Sequence, residues 1–211
     1  MAKKTSANSG DFKTPLGRIS YSRDMFKARP NKNGKLKFGC TLIFPKTDRK
    51  FFEEIIMKVL VEEWGPAGIE RAKKGLIKIP LLSGDGKEAH NKTTGELNEG
   101  MGPDVFFIRP TANEDRPPRV WYKDPNKQET EQEVYSGCYG KAILHFYAWN
   151  QEESGDMVSA GISGFQKLKD GERLGGSGGI DPEKWSETIA DEGPAPKSAK
   201  TGAGAGGLFG D

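Results

Sequence analysis

Between Lys141 and Trp149 the residues alternate in chemical type. Successive side chains of a strand point to opposite faces, so Lys141, Ile143, His145, Tyr147 and Trp149 share one face. Ala142, Leu144, Phe146 and Ala148 make up the other, an ordinary core face. The same split places Arg119, Trp121 and Lys123 together, and Phe107 with Arg109. Aromatic rings stack on unpaired bases for about 1–3 kcal/mol each, while Lys and Arg neutralise phosphates and release counterions. Three strands with interleaved rings and cations therefore suit a single-stranded nucleic acid, and Arg18, Lys35 and Lys37 on the early strands add further cations. A plainer reading has Trp121 and Trp149 covering a second small core, with their cationic neighbours snorkelling outward.

Other chemistries fare worse. Gly84-Asp-Gly-Lys87 lacks the spacing of a phosphate loop, and the glycines from 175 to 179 do not lie between a strand and a helix. Ser136-Gly-Cys-Tyr-Gly140 misses the first glycine of a nucleophile elbow, and only His145 of the same strand is at hand as a base. Asp85, Glu88, Glu96, Glu99 and Asp104 lie in or beside one loop. A metal-dependent nuclease needs such carboxylates clustered, but loop acids are usually just solvated. Cys40 and Cys138 stand alone, and the only histidines are His90 and His145, so no metal, no cofactor and no disulfide are expected.

The elements that must position these residues follow from pattern. Residues 1–14 read as a flexible basic arm, and Leu16 to Ser22 as a strand continuing irregularly to Arg29. Asn33-Gly34 signals a tight hairpin turn, after which Phe38, Cys40, Leu42 and Phe44 alternate as one buried face until Pro45. Thr47 or Asp48 can cap a helix to about Trp64, with Phe52, Ile55, Ile56, Val59 and Leu60 at helical spacing. It is the only strong helix signal. Gly84 to Gly102 has no periodicity and reads as a long surface excursion. Strands are expected at Val105–Arg109, Arg119–Lys123, Val134–Trp149 and Met157–Leu168.

The 211 residues include 28 Gly and 13 Pro with only 34% apolar residues, which favours short strands and many turns. The net charge of +2 conceals segregation. Residues 1–50 carry thirteen Lys or Arg against three Asp, a net +10, whereas residues 181–211 carry a net −3. A polyanion-binding end and a mildly acidic tail are expected. No apolar run reaches the roughly 18 residues of a membrane span and the start is polar, which predicts a cytoplasmic protein with no membrane partner. The folded domain is expected over 15–189 and a disordered tail over 190–211. In that tail Leu208, Phe209 and the terminal Asp211 form an apolar, carboxylate-bearing tip, similar in kind to the tails through which single-stranded-DNA-binding proteins contact replication or recombination proteins.

The stretch Val134-Tyr-Ser-Gly-Cys-Tyr-Gly-Lys-Ala-Ile-Leu-His-Phe-Tyr-Ala-Trp-Asn150, with Gly164-Phe-Gln-Lys-Leu-Lys-Asp-Gly-Glu-Arg-Leu-Gly-Gly176, resembles a family of phage single-stranded-DNA-binding proteins, formerly a domain of unknown function. The likeness is weaker through residues 15–86 and stops short of the tail. It implies a mainly β fold, a five-stranded Greek-key-like oligonucleotide-binding barrel (OB-fold), with one prominent helix and long loops. The implied function is sequence-independent binding of single-stranded DNA in replication, recombination or repair, without enzymatic activity. The alternatives are the nuclease and a virion structural protein, which leaves the aromatic and basic faces unexplained.

Overall fold

A computed structural model describes residues 6–151 and 155–175 of the chain. The tail, with Leu208, Phe209 and Asp211, lies outside the described residues. In chain order the strands are β1 (Phe12–Lys13), β2 (Gly17–Ser20), β3 (Arg29–Pro30), β4 (Leu36–Gly39) and β5 (Thr41–Pro45). Helices α1 (Arg49–Trp64) and α2 (Ala67–Lys73) follow, then β6 (Leu82–Ser83), β7 (Val105–Ile108), β8 (Thr111–Asn113), β9 (Arg119–Trp121), β10 (Tyr139–Gln151) and β11 (Gly155–Lys169). All eleven strands join one sheet in the order β3-β4-β8-β11-β10-β2-β5-β7-β6, with β1 on β10 and β9 on β11. The sheet curls into a half-barrel, the mainly β, OB-type fold expected.

The β10–β11 hairpin is the spine. Its ladder runs from Tyr139↔Lys169 to Gln151↔Gly155, with a register shift between Ile143 and Leu144 that leaves Ser163 without a partner. The inward side chains of β10, Ala142, Leu144, Phe146 and Ala148, are buried as the alternation requires. Helix α1 lays Phe52, Ile56, Val59 and Leu60 on the core, where the Phe52 ring sits 4.8 Å from that of Phe44 and 5.5 Å from that of Phe106. Such aromatic pairs add about 0.5–1.5 kcal/mol each beyond their burial.

Several local expectations need correction. Residues 7–14 are no free arm but run along β10: Ala148 N–H donates to Ala7 O (2.9 Å), Ser9 N–H to Phe146 O (2.8 Å) and Thr14 N–H to Ala142 O (2.9 Å). The first strand stops at Ser20, because Tyr21 turns left-handed (φ 54°, ψ 39°) and a single 3-10 turn, Ser22–Met25, follows. For a residue other than glycine that conformation costs about 1–2 kcal/mol. The stretch from Phe38 to Phe44 breaks at Cys40, where the chain changes neighbours: β4 pairs with β8, but β5 pairs with β2 and β7. Both faces of β5 are consequently buried. The seven-residue α2 escaped notice because it is short and holds Gly68, which has no room for a side chain against Leu60 O. Val134–Cys138 forms turns rather than strand, with Val134 N–H donating to Thr130 O and Cys138 N–H to Tyr135 O. The hairpin at Asn33-Gly34 is as expected: Gly34 has φ 74° and Asn31 N–H donates to Lys35 O across the turn.

Candidate nucleic-acid interface

On the side of β10 and β11 away from the core, the ladder sets Trp149 opposite Met157, Tyr147 opposite Ser159, His145 opposite Gly161, and Lys141 opposite Gln166. Strand β9 continues these rows, placing Trp121 beside Gln166 and Arg119 beside Gly164. Arg119, Trp121, Lys141, His145, Tyr147 and Trp149 thus lie on one sheet face, as their alternation predicts. Two glycines make room for the rings. A Cβ at Gly161 would lie 2.1 Å from His145 Nε2, and one at Gly164 would lie 2.9 Å from the Trp121 ring. The His145 ring faces Asp11, with Nδ1 3.2 Å from Oδ1, and Ser163 Oγ donates to the same carboxylate at 3.0 Å. Burial raises the Tyr147 phenol above its ordinary pKa, opposed by a hydrogen bond with Ser159. At the open end Trp149 is 47% exposed.

Two clefts open over this face. One, of about 780 Å³, is lined by His145, Tyr147 and Trp149 on the sheet and by Asn8, Lys37 and Arg116 around it. The other, of about 650 Å³, again has Tyr147 and Trp149, now with Lys35, Lys37, Lys78 and Arg109. Lys37 of the β3–β4 hairpin borders both, as do Tyr147 and Trp149. Lys37 Nζ donates to Asn113 Oδ1, which ties the hairpin to β8. Lys35, Lys37, Lys78, Arg109, Arg116, Arg119 and Lys141 are not ion-paired with any carboxylate among the described residues. Cations without carboxylate partners around exposed or half-buried rings attract polyanions, and mobile counterions hold their place until one arrives. Lys78 and Arg116 are additions to the sequence reading. Arg116 lies in an irregular proline-flanked stretch with no alternation to assign it a face, and Lys78 alternates with Ile77 and Ile79 over a run that Pro80 cuts too short to mark a strand.

The sequence model of a family described as "Enterobacter phage Enc34, ssDNA-binding protein" matches residues 12–192. The chain belongs to this family. Protein p50 of Acyrthosiphon pisum secondary endosymbiont phage 1 is 27% identical over 183 residues, covering 83% of this chain and 92% of that protein. The solved structure of the bacteriophage Enc34 single-stranded DNA-binding protein in complex with ssDNA is similar with a TM-score of 0.58 at 19% identity, over 82% of this chain and 97% of that one. A C-terminally truncated form of the Enc34 protein gives 0.54 at 23% identity, over 82% and 95%. At these identities the structural likeness establishes the shared fold.

Not every residue singled out in this Enc34-family chain reaches the face. Phe107 is fully buried with Ile43, Ala89 and Leu174 in a second small core beneath the 84–102 excursion. Burying a Phe is worth about 1.5–3 kcal/mol, as much as one stacked base returns, so this ring is not available for stacking. The second core that alternation suggested for Trp121 and Trp149 thus exists, but other residues fill it. Arg109 packs on the Phe107 ring, 5.0 Å from its centroid, and donates to Glu88 O at 2.7 Å while lining the cleft. Arg18 is occupied by two loop carbonyls, donating from Nε to Gly137 O (3.1 Å) and from a terminal nitrogen to Glu172 O (2.7 Å). Its place is structural. Lys123 falls beyond the end of β9 and lies over the Tyr122 ring instead of beside Trp121. The loop carboxylates do not converge either: Asp85 takes a hydrogen bond from Ser83, and Glu99 accepts from Gly175 N–H. Among the described residues no three His, Cys, Asp or Glu side chains are grouped as a metal ion requires.

Proposed function

We propose that this chain binds single-stranded DNA without sequence preference, and so protects and organises strands during phage DNA replication, recombination or repair. The observation that carries the reading is the open sheet face that holds Trp121, Tyr147 and Trp149 together with Arg119 and Lys141, bordered by further cations without carboxylate partners among the described residues. Rings of this kind stack on any base, and unpaired cations track any phosphate backbone. Family membership supports the same reading, as does the Enc34 protein having been solved with ssDNA. Trp121, Tyr147 and Trp149 are the proposed stacking rings, His145 a neighbouring polar contact, and Lys35, Lys37, Lys78, Arg109, Arg116, Arg119 and Lys141 the phosphate contacts. The protein acts as a binding module rather than an enzyme and works in the host cytoplasm. Among the described residues no helix is long and apolar enough to cross a membrane.

The test is a titration of the chain with single-stranded and duplex DNA of equal length and several sequences, with and without magnesium. Clear preference for single strands irrespective of sequence is expected. Preference for one duplex site, or magnesium-dependent loss of the DNA, would overturn the proposal. The tail tip Leu208-Phe209-Gly210-Asp211 is proposed to dock a replication or recombination protein. Deletion of residues 191–211 should then leave single-strand binding intact and abolish capture of that partner.

A further inference from the structure

Tyr21 is explained by neither packing nor backbone preference. It is the only residue other than glycine with positive φ among the described residues, and its side chain is 54% exposed. The surroundings hold it in that state: Ser22 N–H donates to Ser136 Oγ at 3.0 Å, Met25 is buried, and Asp24 N–H closes the turn on Tyr21 O. An exposed ring on an over-determined, strained backbone is an outlier of the kind that accompanies binding sites.

Its neighbourhood indicates the ligand. Tyr21 lines a cleft of about 300 Å³ together with Arg29, Lys37 and Arg109. That cleft shares Asn31, Lys37, Arg109 and Thr111 with the one beneath Trp149. Arg29 is paired with Asp24, so Lys37 and Arg109 supply the net positive charge. A cationic path bordered by the β3–β4 hairpin therefore leads from Trp149, with an exposed aromatic ring at each end.

We infer that Tyr21 is a second stacking platform, taking a base several nucleotides along the strand from the one on Trp149. The inference rests on the single-strand reading above, and oligonucleotide length separates the two. Fluorescent oligothymidylates of about 4 to 16 nucleotides, the range of site sizes for such folds, are titrated with the full chain and with Trp149→Ala, Tyr21→Asn and Tyr21→Phe. Trp149→Ala should weaken binding at every length. Tyr21→Asn should match the parent on the shortest strands and bind the longest at least about fivefold more weakly, while Tyr21→Phe binds as the parent does. Because Asn accepts the left-handed conformation, Tyr21→Asn should melt no lower than the parent, which separates the removal of a stacking ring from a damaged fold. Tyr21→Gly serves the same purpose if the Asn variant folds poorly. Parent-like binding by Tyr21→Asn at all lengths alongside a weakened Trp149→Ala would overturn the inference alone, as would a Tyr21→Phe as weak as Tyr21→Asn. Failure of the parent to bind any single strand would overturn the reading beneath it.

Discussion

Trp149 and Trp121 illustrate how differently two rings on one face are held. Trp149 is nearly half exposed at the end of β10, whereas Trp121 is half-buried against Gly164. Trp149→Ala is therefore expected to cost roughly 1–3 kcal/mol of single-strand affinity with an unchanged melting temperature. Trp121→Ala should lose affinity and stability together. Tryptophan fluorescence and thermal melting of the two variants check this, and normal affinity in a folded Trp149→Ala would move the binding surface elsewhere. Alternation made both residues legible, but not their burial. Lys167 marks the same limit more sharply. On pattern it is one more cation of the last strand, yet it is buried, bridged to Glu133 and Asp170 at 2.8 Å each, and set against the Tyr122 and Tyr135 rings. Those partners lie 34 residues before it and 3 after it, and only the fold brings them together.

At the scale of elements, the β3–β4 hairpin is the part most exposed to test. It carries Lys35 and Lys37, which border the clefts without ion partners among the described residues. Lys35→Gln/Lys37→Gln should weaken binding to all sequences alike and flatten the plot of log affinity against log salt by about 1.4, since each neutralised phosphate accounts for about 0.7 of the slope. An unchanged slope would place both lysines off the strand's path. The long β10–β11 hairpin was readable because one face of β10 stays in the core from Gly140 to Ala148. Strand β7 has four residues, and the excursion from 84 to 102 closes over its second face. Alternation reports that two faces differ but not what later chain covers them, so Phe107 looked exposed. The docking of residues 7–14 along β10 was hidden for a related reason: besides backbone hydrogen bonds its anchors are Ser9, Asp11, Phe12 and Thr14, a mixture of polar and apolar side chains that makes no strand pattern.

For the whole molecule, carboxylates held by hydrogen bonds set the response to acid. Asp156 is kept below its ordinary value of 3.8 by a hydrogen bond from Asn150 and by Arg71, and Asp170 by bonds from Lys167 and Tyr135. Groups with lowered folded pKa stabilise fully above the unfolded value and lose that contribution as pH falls through the folded one. Melting temperature should accordingly be insensitive to these groups above about pH 5 and fall below about pH 4. Asp156→Asn should melt lower than the parent at neutral pH and converge with it in acid. A gap that stays constant across the titration would show that the Asp156 charge contributes nothing.

Gly161 and Gly164 face away from the core, where substitution is ordinarily free. Here the space a methyl group would take is already filled, by the His145 ring at one position and by the Trp121 ring and the Arg119 carbonyl at the other. Any side chain at 161 must push His145 into the cleft, and any at 164 must lift β9 from β11. These two outward positions therefore tolerate a side chain as poorly as interior ones do, and the hairpin's freedom to vary without displacing a neighbour is left to residues that neither fill the core nor lie under a ring.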